Sequence, residues 1–229
     1  RRFAGPIEKE GDAHKKAALQ ALIRPFLLRR TKTDEAVALN LPDKIEQKEY
    51  CPLTAEQAAL YEQLVNDTLE RAKEASPFAR RGLILQMLNG IKQICNHPAL
   101  YLKERSPRQL VERSHKLEKL IELIEQIRAN DESCLIFTQY VRMGEMIQQL
   151  LSDLFDEPVL FLHGGVPKQT RDRMVDEFQA KKAPIFLLSL KAGGTGLNLT
   201  AANHVIHFDR WWNPAVENQA TDRAYRIGQ

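Results

Sequence analysis

No run in this 229-residue chain stays apolar for the roughly 18 residues that a membrane-crossing helix requires. No signal-peptide pattern opens it. Cysteine is scarce. The three that occur, Cys51, Cys95 and Cys134, are far apart and form no C-x-x-C pair. That argues against a disulfide framework or a zinc site and suits a reducing, cytoplasmic compartment. Cys95 and His97 stand close together in Ile94-Cys95-Asn96-His97-Pro98, but two ligands do not make a metal site. A helix end broken by Pro98 is the plainer reading. A strong excess of one charge is also missing. The formal net charge is +3, so any binding to nucleic acid has to come from local placement of charge. There is no G-x-x-x-x-G-K-S/T phosphate cradle. The acidic pairs Asp34-Glu35, Asp131-Glu132 and Asp156-Glu157 do not follow apolar strands that would present them to magnesium. A self-contained nucleotide-hydrolysing site is therefore not expected.

What is present is ordinary globular material, 43% hydrophobic and 28% charged, enough for one or two domains with a sizeable core. Residues 184–229 are the most informative. The run Ile185-Phe186-Leu187-Leu188-Ser189-Leu190 reads as a strand buried on both faces, as in a parallel sheet. A glycine-rich turn follows at residues 191–196. Then come a second strand at residues 204–208, ended by Asp209, and an aromatic elbow, Trp211-Trp212-Asn213-Pro214. Asn213 can cap, and Pro214 can open, a last helix. On it Gln219, Arg223 and Arg226 stand at i, i+4 and i+7 and share a face. They form either a solvated surface, with Asp222 four residues before Arg226, or a phosphate-clamping stripe.

Upstream, residues 1–14 read as a solvated linker, and Pro25 interrupts a helical pattern edged by Arg24, Arg29 and Arg30. Thr54-Ala55-Glu56-Gln57 is a capping box for a helix running to about Glu74, where Ser76-Pro77 stops it. A second helix with apolar residues from Leu83 to Ile94 completes a hairpin. Residues 114–129 make an amphipathic helix. Strand and helix then alternate: strands at 134–138 and 159–162, helices marked by Ile147 to Leu154 and by Pro167 to Phe178. This alternation calls for an α/β parallel sheet with right-handed crossovers and helices on both faces. Thr138, Gln139, His163, Gly164, Gly165, Ser189, Lys191 and Asp209 then sit just past strand ends, where such sheets collect ligands. Ordinary turn chemistry explains any one of them; four converging turns are informative.

Residues 187–209 and 211–229, with the ending Gln219-Ala220-Thr221-Asp222-Arg223-Ala224-Tyr225-Arg226-Ile227-Gly228-Gln229, closely resemble the last two motifs of the Swi/Snf-type ATPases. Those are superfamily 2 helicase-like motors that move along double-stranded DNA. Residues 137–151 and 161–179 resemble two earlier motifs of the same lobe, and residues 24–32 with 41–44 resemble the stretch joining the two lobes. The resemblance implies a RecA-like second lobe at residues 111–229, a helical protrusion at 51–110 and a linker with the end of the first-lobe region at 1–50. It implies arginine fingers at Arg223 and Arg226. Nucleotide-side contacts fall at Gln219, Gly194, Gly196 and Asn198. DNA-backbone contacts fall at Lys191, Gly193, Thr138, Gln139, Gly164 and Gly165, and an aromatic, Trp212, approaches the minor groove or, on a plainer reading, packs under the last helix. ATP and Mg2+ would be held mainly by a first lobe on the same chain. The partners implied are double-stranded DNA and that lobe, in the cytoplasm or nucleoid, or in a nucleus. Because the chain opens on Arg1 and not Met and stops on the last residue of the last motif, it is expected to be a fragment.

Two other readings compete. A nucleic-acid-binding domain without ATP chemistry would have no need of Arg223, Arg226 and Gln219 together. A self-contained Rossmann-type enzyme is opposed by Gly194-Thr195-Gly196-Leu197-Asn198-Leu199, which puts Leu199 where the third glycine belongs.

Overall fold

The computed structural model describes residues 4–23, 44–190, 197–211, 213–222 and 224. The chain divides into two compact units, Arg1–Asn40 and Leu41–Gln229. In the first, α1 (Ala4–Glu10) and α2 (Ala13–Ile23) are separated by Gly11, whose φ of 65° lies in the left-handed region and stops α1. Asp12 precedes α2, and its Oδ1 accepts from Lys15 N at 3.0 Å. The described residues among 1–14, read as a solvated linker, are thus mostly helical. Arg24, Arg29 and Arg30 lie outside the described residues.

The second unit opens with helices. Thr54 starts α3 (Ala55–Glu74) with both halves of the capping box: Gln57 N donates to Thr54 Oγ1 at 3.3 Å and Thr54 N to Gln57 Oε1 at 2.9 Å. Ser76 caps α4 (Pro77–Asn96), with Pro77 in its first turn. The two helices pack closely enough that a Cβ on Gly90 would lie 2.7 Å from Leu64 Cδ2. The side chain of Gln57 crosses from α3 to α4, donating to the Ile94 carbonyl at 2.7 Å. A short α5 (Pro98–Leu102) and the amphipathic α6 (His115–Ala129) follow.

Then strand and helix alternate: β1 (Cys134–Thr138), α7 (Val141–Phe155), β2 (Val159–Leu162), α8 (Lys168–Gln179), β3 (Ile185–Ser189), β4 (His204–His207) and α9 (Pro214–Thr221). The strands form a four-stranded sheet in the order β2-β3-β1-β4, every pairing parallel. Side chains alternate across each strand and so feed two cores. Cys134, Ile136, Phe161, Ile185 and Leu187 face α6 and α7, against Leu117, Leu120, Ile124, Met143 and Ile147. Leu135, Phe137, Leu162, Phe186 and Leu188 face the other way, against Phe178 of α8 and Ala220 of α9. Burying each such large side chain is worth about 1.5–3 kcal/mol. All residues of β1, β2 and β3 are buried, which is why their sequences read as unbroken apolar runs. Only β4 is partly exposed, lying at one edge of the sheet.

This order has a consequence for ligands. The connection leaving β1 passes into α7 on one face, whereas β3 and β4 lead to Leu199 and Ala220 on the other. Open α/β sheets gather ligands at the carboxyl ends of their strands.

Candidate functional site

Because all four strands are parallel, Thr138, Leu162, Ser189 and His207 end along one edge. Asp209 organises the β1–β4 part of it. Its side chain is buried, 3% exposed. Oδ2 accepts from the Thr138 hydroxyl at 2.6 Å and from Gln139 N at 2.7 Å, and Oδ1 accepts from Asn96 Nδ2 at 2.8 Å. Lys116 Nζ donates to Asn96 Oδ1 at 2.7 Å and lies 5.0 Å from the centre of the Phe208 ring. Burial pushes the Lys116 ammonium below the usual lysine range, and Asp209 counters part of that shift. Tyr140, also partly buried and near Asp209, is pushed up to about 12. Its hydroxyl donates to Asn89 of α4 at 2.8 Å.

The chain then turns through the aromatic elbow. The Arg210 carbonyl accepts from Gln139 Nε2 and from Lys92 Nζ of α4, both at 2.9 Å. Buried Glu217 accepts from Trp211 N at 2.7 Å and from Arg210 Nε at 3.0 Å. Asn213 Oδ1 accepts from Ala215 N at 3.0 Å and Pro214 occupies the first turn, so α9 begins as its sequence predicts. Its last turn is tied to β4 by a 2.9 Å contact between His207 Nε2 and Thr221 Oγ1.

At the β2 end, Gly164 and Gly165 are exposed, and Gly165 N donates to His163 Nδ1 at 3.2 Å. The structure thus brings Thr138, Gln139, Gly164 and Gly165 to one edge. They differ in availability: the Thr138 side chain is fully buried and engaged with Asp209, whereas Gln139 is only half-buried. Asn198 and Gln219 are exposed. Lys191, Gly193, Gly194, Gly196, Trp212, Arg223 and Arg226 lie outside the described residues. Among the described residues no group of three or more His, Cys, Asp or Glu could hold a metal ion. Nor is any helix there long and apolar enough to cross a membrane.

Sequence reasoning missed Asn96, Lys116, Lys92 and Glu217. The one available signal was Asn96, a polar residue closing an apolar helix just before His97-Pro98.

A parallel sheet faced by helices, with its polar residues gathered at the strand ends, defines an open α/β lobe of the kind that takes ligands at its strand ends. Residues 115–228 match the Helicase conserved C-terminal domain, and residues 1–100 match the SNF2-related domain. The chain is 64% identical over its full length to the putative ATP-dependent helicase/translocase YwqA of Bacillus subtilis, of which it spans 25%. Against the solved Sulfolobus solfataricus SWI2/SNF2 ATPase C-terminal domain it is 45% identical with a TM-score of 0.70, covering 77% of this chain and 76% of that one. Against the same organism's ATPase core in complex with double-stranded DNA it is 44% identical with a TM-score of 0.72, covering all of this chain and 47% of that one. The chain belongs to the SWI2/SNF2 family of helicase-like ATPases. It spans about a quarter of the length of the curated relatives it matches.

Proposed function

We propose that this chain supplies the second motor lobe of an ATP-driven translocase on double-stranded DNA, holding backbone contacts and arginine fingers but not the phosphate cradle. The observation that carries the reading is Gly164. It is exposed, its φ lies outside the left-handed region, and a Cβ built on it meets nothing within 4 Å. The space beside this turn is therefore open to a phosphate, and the turn stands on the same strand-end edge as Thr138, Gln139 and Gly165. Gln139 and Gly165 share that edge and offer an amide and a backbone N–H for sequence-independent contact. The complex of the Sulfolobus core with double-stranded DNA supports the same partner here.

In this reading Lys191 and Gly193 meet phosphate beside that edge, and Trp212 approaches the minor groove. Thr138 acts through Asp209, which its buried hydroxyl helps to orient. ATP and magnesium are held mainly by the other lobe. Gly194, Gly196 and Asn198 line the nucleotide side, and Gln219 orients. Arg223 and Arg226 reach the γ-phosphate, where the planar guanidinium bridges oxygens as charge shifts to the leaving group. The test is ATP turnover by the pure chain and by the full-length parent, each with and without duplex DNA. The parent alone should turn over and be stimulated. Turnover by the chain alone overturns the half-site. A parent that binds duplex without any ATPase favours a nucleic-acid-binding domain instead.

A further inference from the structure

We propose that Asn96 is a positioning residue for the DNA-facing end of β1, joining Asp209 to Lys116 and so holding Gln139 and the adjoining elbow in place. This rests on the reading of the strand-end edge as the DNA contact. Asn96 is 1% exposed and lies on α4, 113 residues from Asp209. Its orientation is forced from both sides. A carboxylate only accepts and an ammonium only donates, so Nδ2 must face Asp209 and Oδ1 must face Lys116. The amide is thereby the hydrogen-bonded link between a buried anion and a cation on α6.

The consequence runs outward from there. Asp209 has three donors on its two oxygens, and one is the backbone N–H of Gln139 itself. Gln139 in turn holds the Arg210 carbonyl with its side chain, beside Lys92 from the same helix as Asn96. The helical hairpin thus reaches the edge at several points, through Asn96 to Asp209, Lys92 to Arg210 and Asn89 to Tyr140. Loss of the Asn96 donor leaves a buried carboxylate oxygen unsatisfied, and the cheapest relief is for Asp209 to turn away from Gln139.

An exchange of the two side chains tests this in the full-length parent. In Asn96→Asp two carboxylates face each other across the present 2.8 Å contact. In Asp209→Asn the anion that receives Lys116's charge is gone. In the double variant Asn96→Asp/Asp209→Asn every bond can re-form. The amide at position 209 donates to the carboxylate at 96, and its carbonyl oxygen accepts from Thr138 and Gln139 N. Lys116 pairs with the carboxylate directly. Duplex affinity, hydrogen exchange of the Gln139 amide and a melting curve are measured for each variant. Each single change should weaken duplex binding and Gln139 protection by about tenfold or more, as loss of a buried charged hydrogen bond does. The double variant should return both to within about threefold of the wild type, the coupling expected of neighbours in one network. If the double variant regains its melting temperature but neither Gln139 protection nor affinity, Asn96 only stabilises the fold and the proposal fails. If Gln139 protection falls and recovers while duplex affinity never moves, the positioning stands and the DNA reading of this edge is what fails. If a single variant does not fold, the double variant decides alone, by the same comparison with wild type.

Discussion

Replacing Gly144 with alanine adds one methyl group at the place where α7 crosses β2. A Cβ there would lie 2.2 Å from Phe161 Cζ and 2.7 and 2.8 Å from Cε2 and Cε1, all inside the 3.4 Å of ordinary contact. The ring must therefore retreat by about 1.2 Å. It has nowhere ready to go, since Phe161 is 4% exposed within the α6–α7 core. Overpacking of this kind costs about 1–3 kcal/mol. Alanine recovers about 1 kcal/mol of helix propensity at an interior helical position. With so short a contact the upper part of the range applies, leaving a net loss of about 1–2 kcal/mol. For a unit of this size that is a fall of about 2–8 °C in melting temperature. The displacement should also travel. Phe161 packs on His163 with ring centroids 5.1 Å apart, and His163 Nδ1 holds Gly165 N, so the Gly164–Gly165 turn shifts and duplex affinity of the parent should fall with stability. Urea melts of the chain check the first part. Combining Gly144→Ala with Phe161→Leu should cost less than the two changes summed, by about 1 kcal/mol or more. An alanine variant as stable as wild type, or strict additivity with Phe161→Leu, refutes the packing argument.

In the parent protein, Arg226→Ala and Arg223→Ala are each expected to lower DNA-stimulated ATP turnover by about a hundredfold or more, with duplex affinity and melting curve little changed. Near-normal turnover refutes the finger role, and Gln219→Ala should have a smaller effect than either. Lys191→Ala should weaken duplex binding alike for unrelated sequences and flatten its salt dependence; an unchanged salt slope counts against a phosphate contact. Stability should also fall on acidification. His97 Nδ1 accepts from Ala99 N at 3.0 Å while Nε2 donates to the Leu110 carbonyl at 2.9 Å. The ring is thus held neutral, and burial lowers its pKa, as it does for His207. The folded value lies below the unfolded one of about 6.5, so the contribution is complete above that pH and is lost as pH falls through it. Urea melts at about pH 7.5 and 5.5 should show the loss, and His97→Asn, which keeps an acceptor for Ala99, should show a smaller one. Further down, Glu56 and Glu104 add a second loss. Hydrogen bonds from Arg113 hold both carboxyls below their ordinary value, so their contribution is present above it and lost as pH falls through the lowered folded value.

Much of the fold was legible because the local rules it obeys are strong. Residues 134–138, 159–162 and 185–189 are strands buried on both faces, and such strands leave apolar runs that need no partner to be seen. The capping box at Thr54 and the Asn213-Pro214 opening of α9 are satisfied within a few residues, so they too are visible in the letters. The edge was legible as a set, since parallel strands must end together. Which members of that set face outward was not. Thr138 and Gln139 are adjacent in sequence and equally polar, yet the Thr138 hydroxyl is turned inward onto Asp209 and the Gln139 amide reaches the elbow.

The amino-acid sequence by itself determined that this is a parallel α/β lobe with its polar residues at the strand ends, because hydrophobic periodicity and caps are local. Only the tertiary structure decided the strand order β2-β3-β1-β4 and the meeting of Asn96, Lys116, Thr138 and Asp209. Those four are drawn from α4, α6 and the ends of β1 and β4. Hydrogen bonds between residues so far apart leave no periodic trace. They exist because a buried carboxylate must find donors wherever packing brings them.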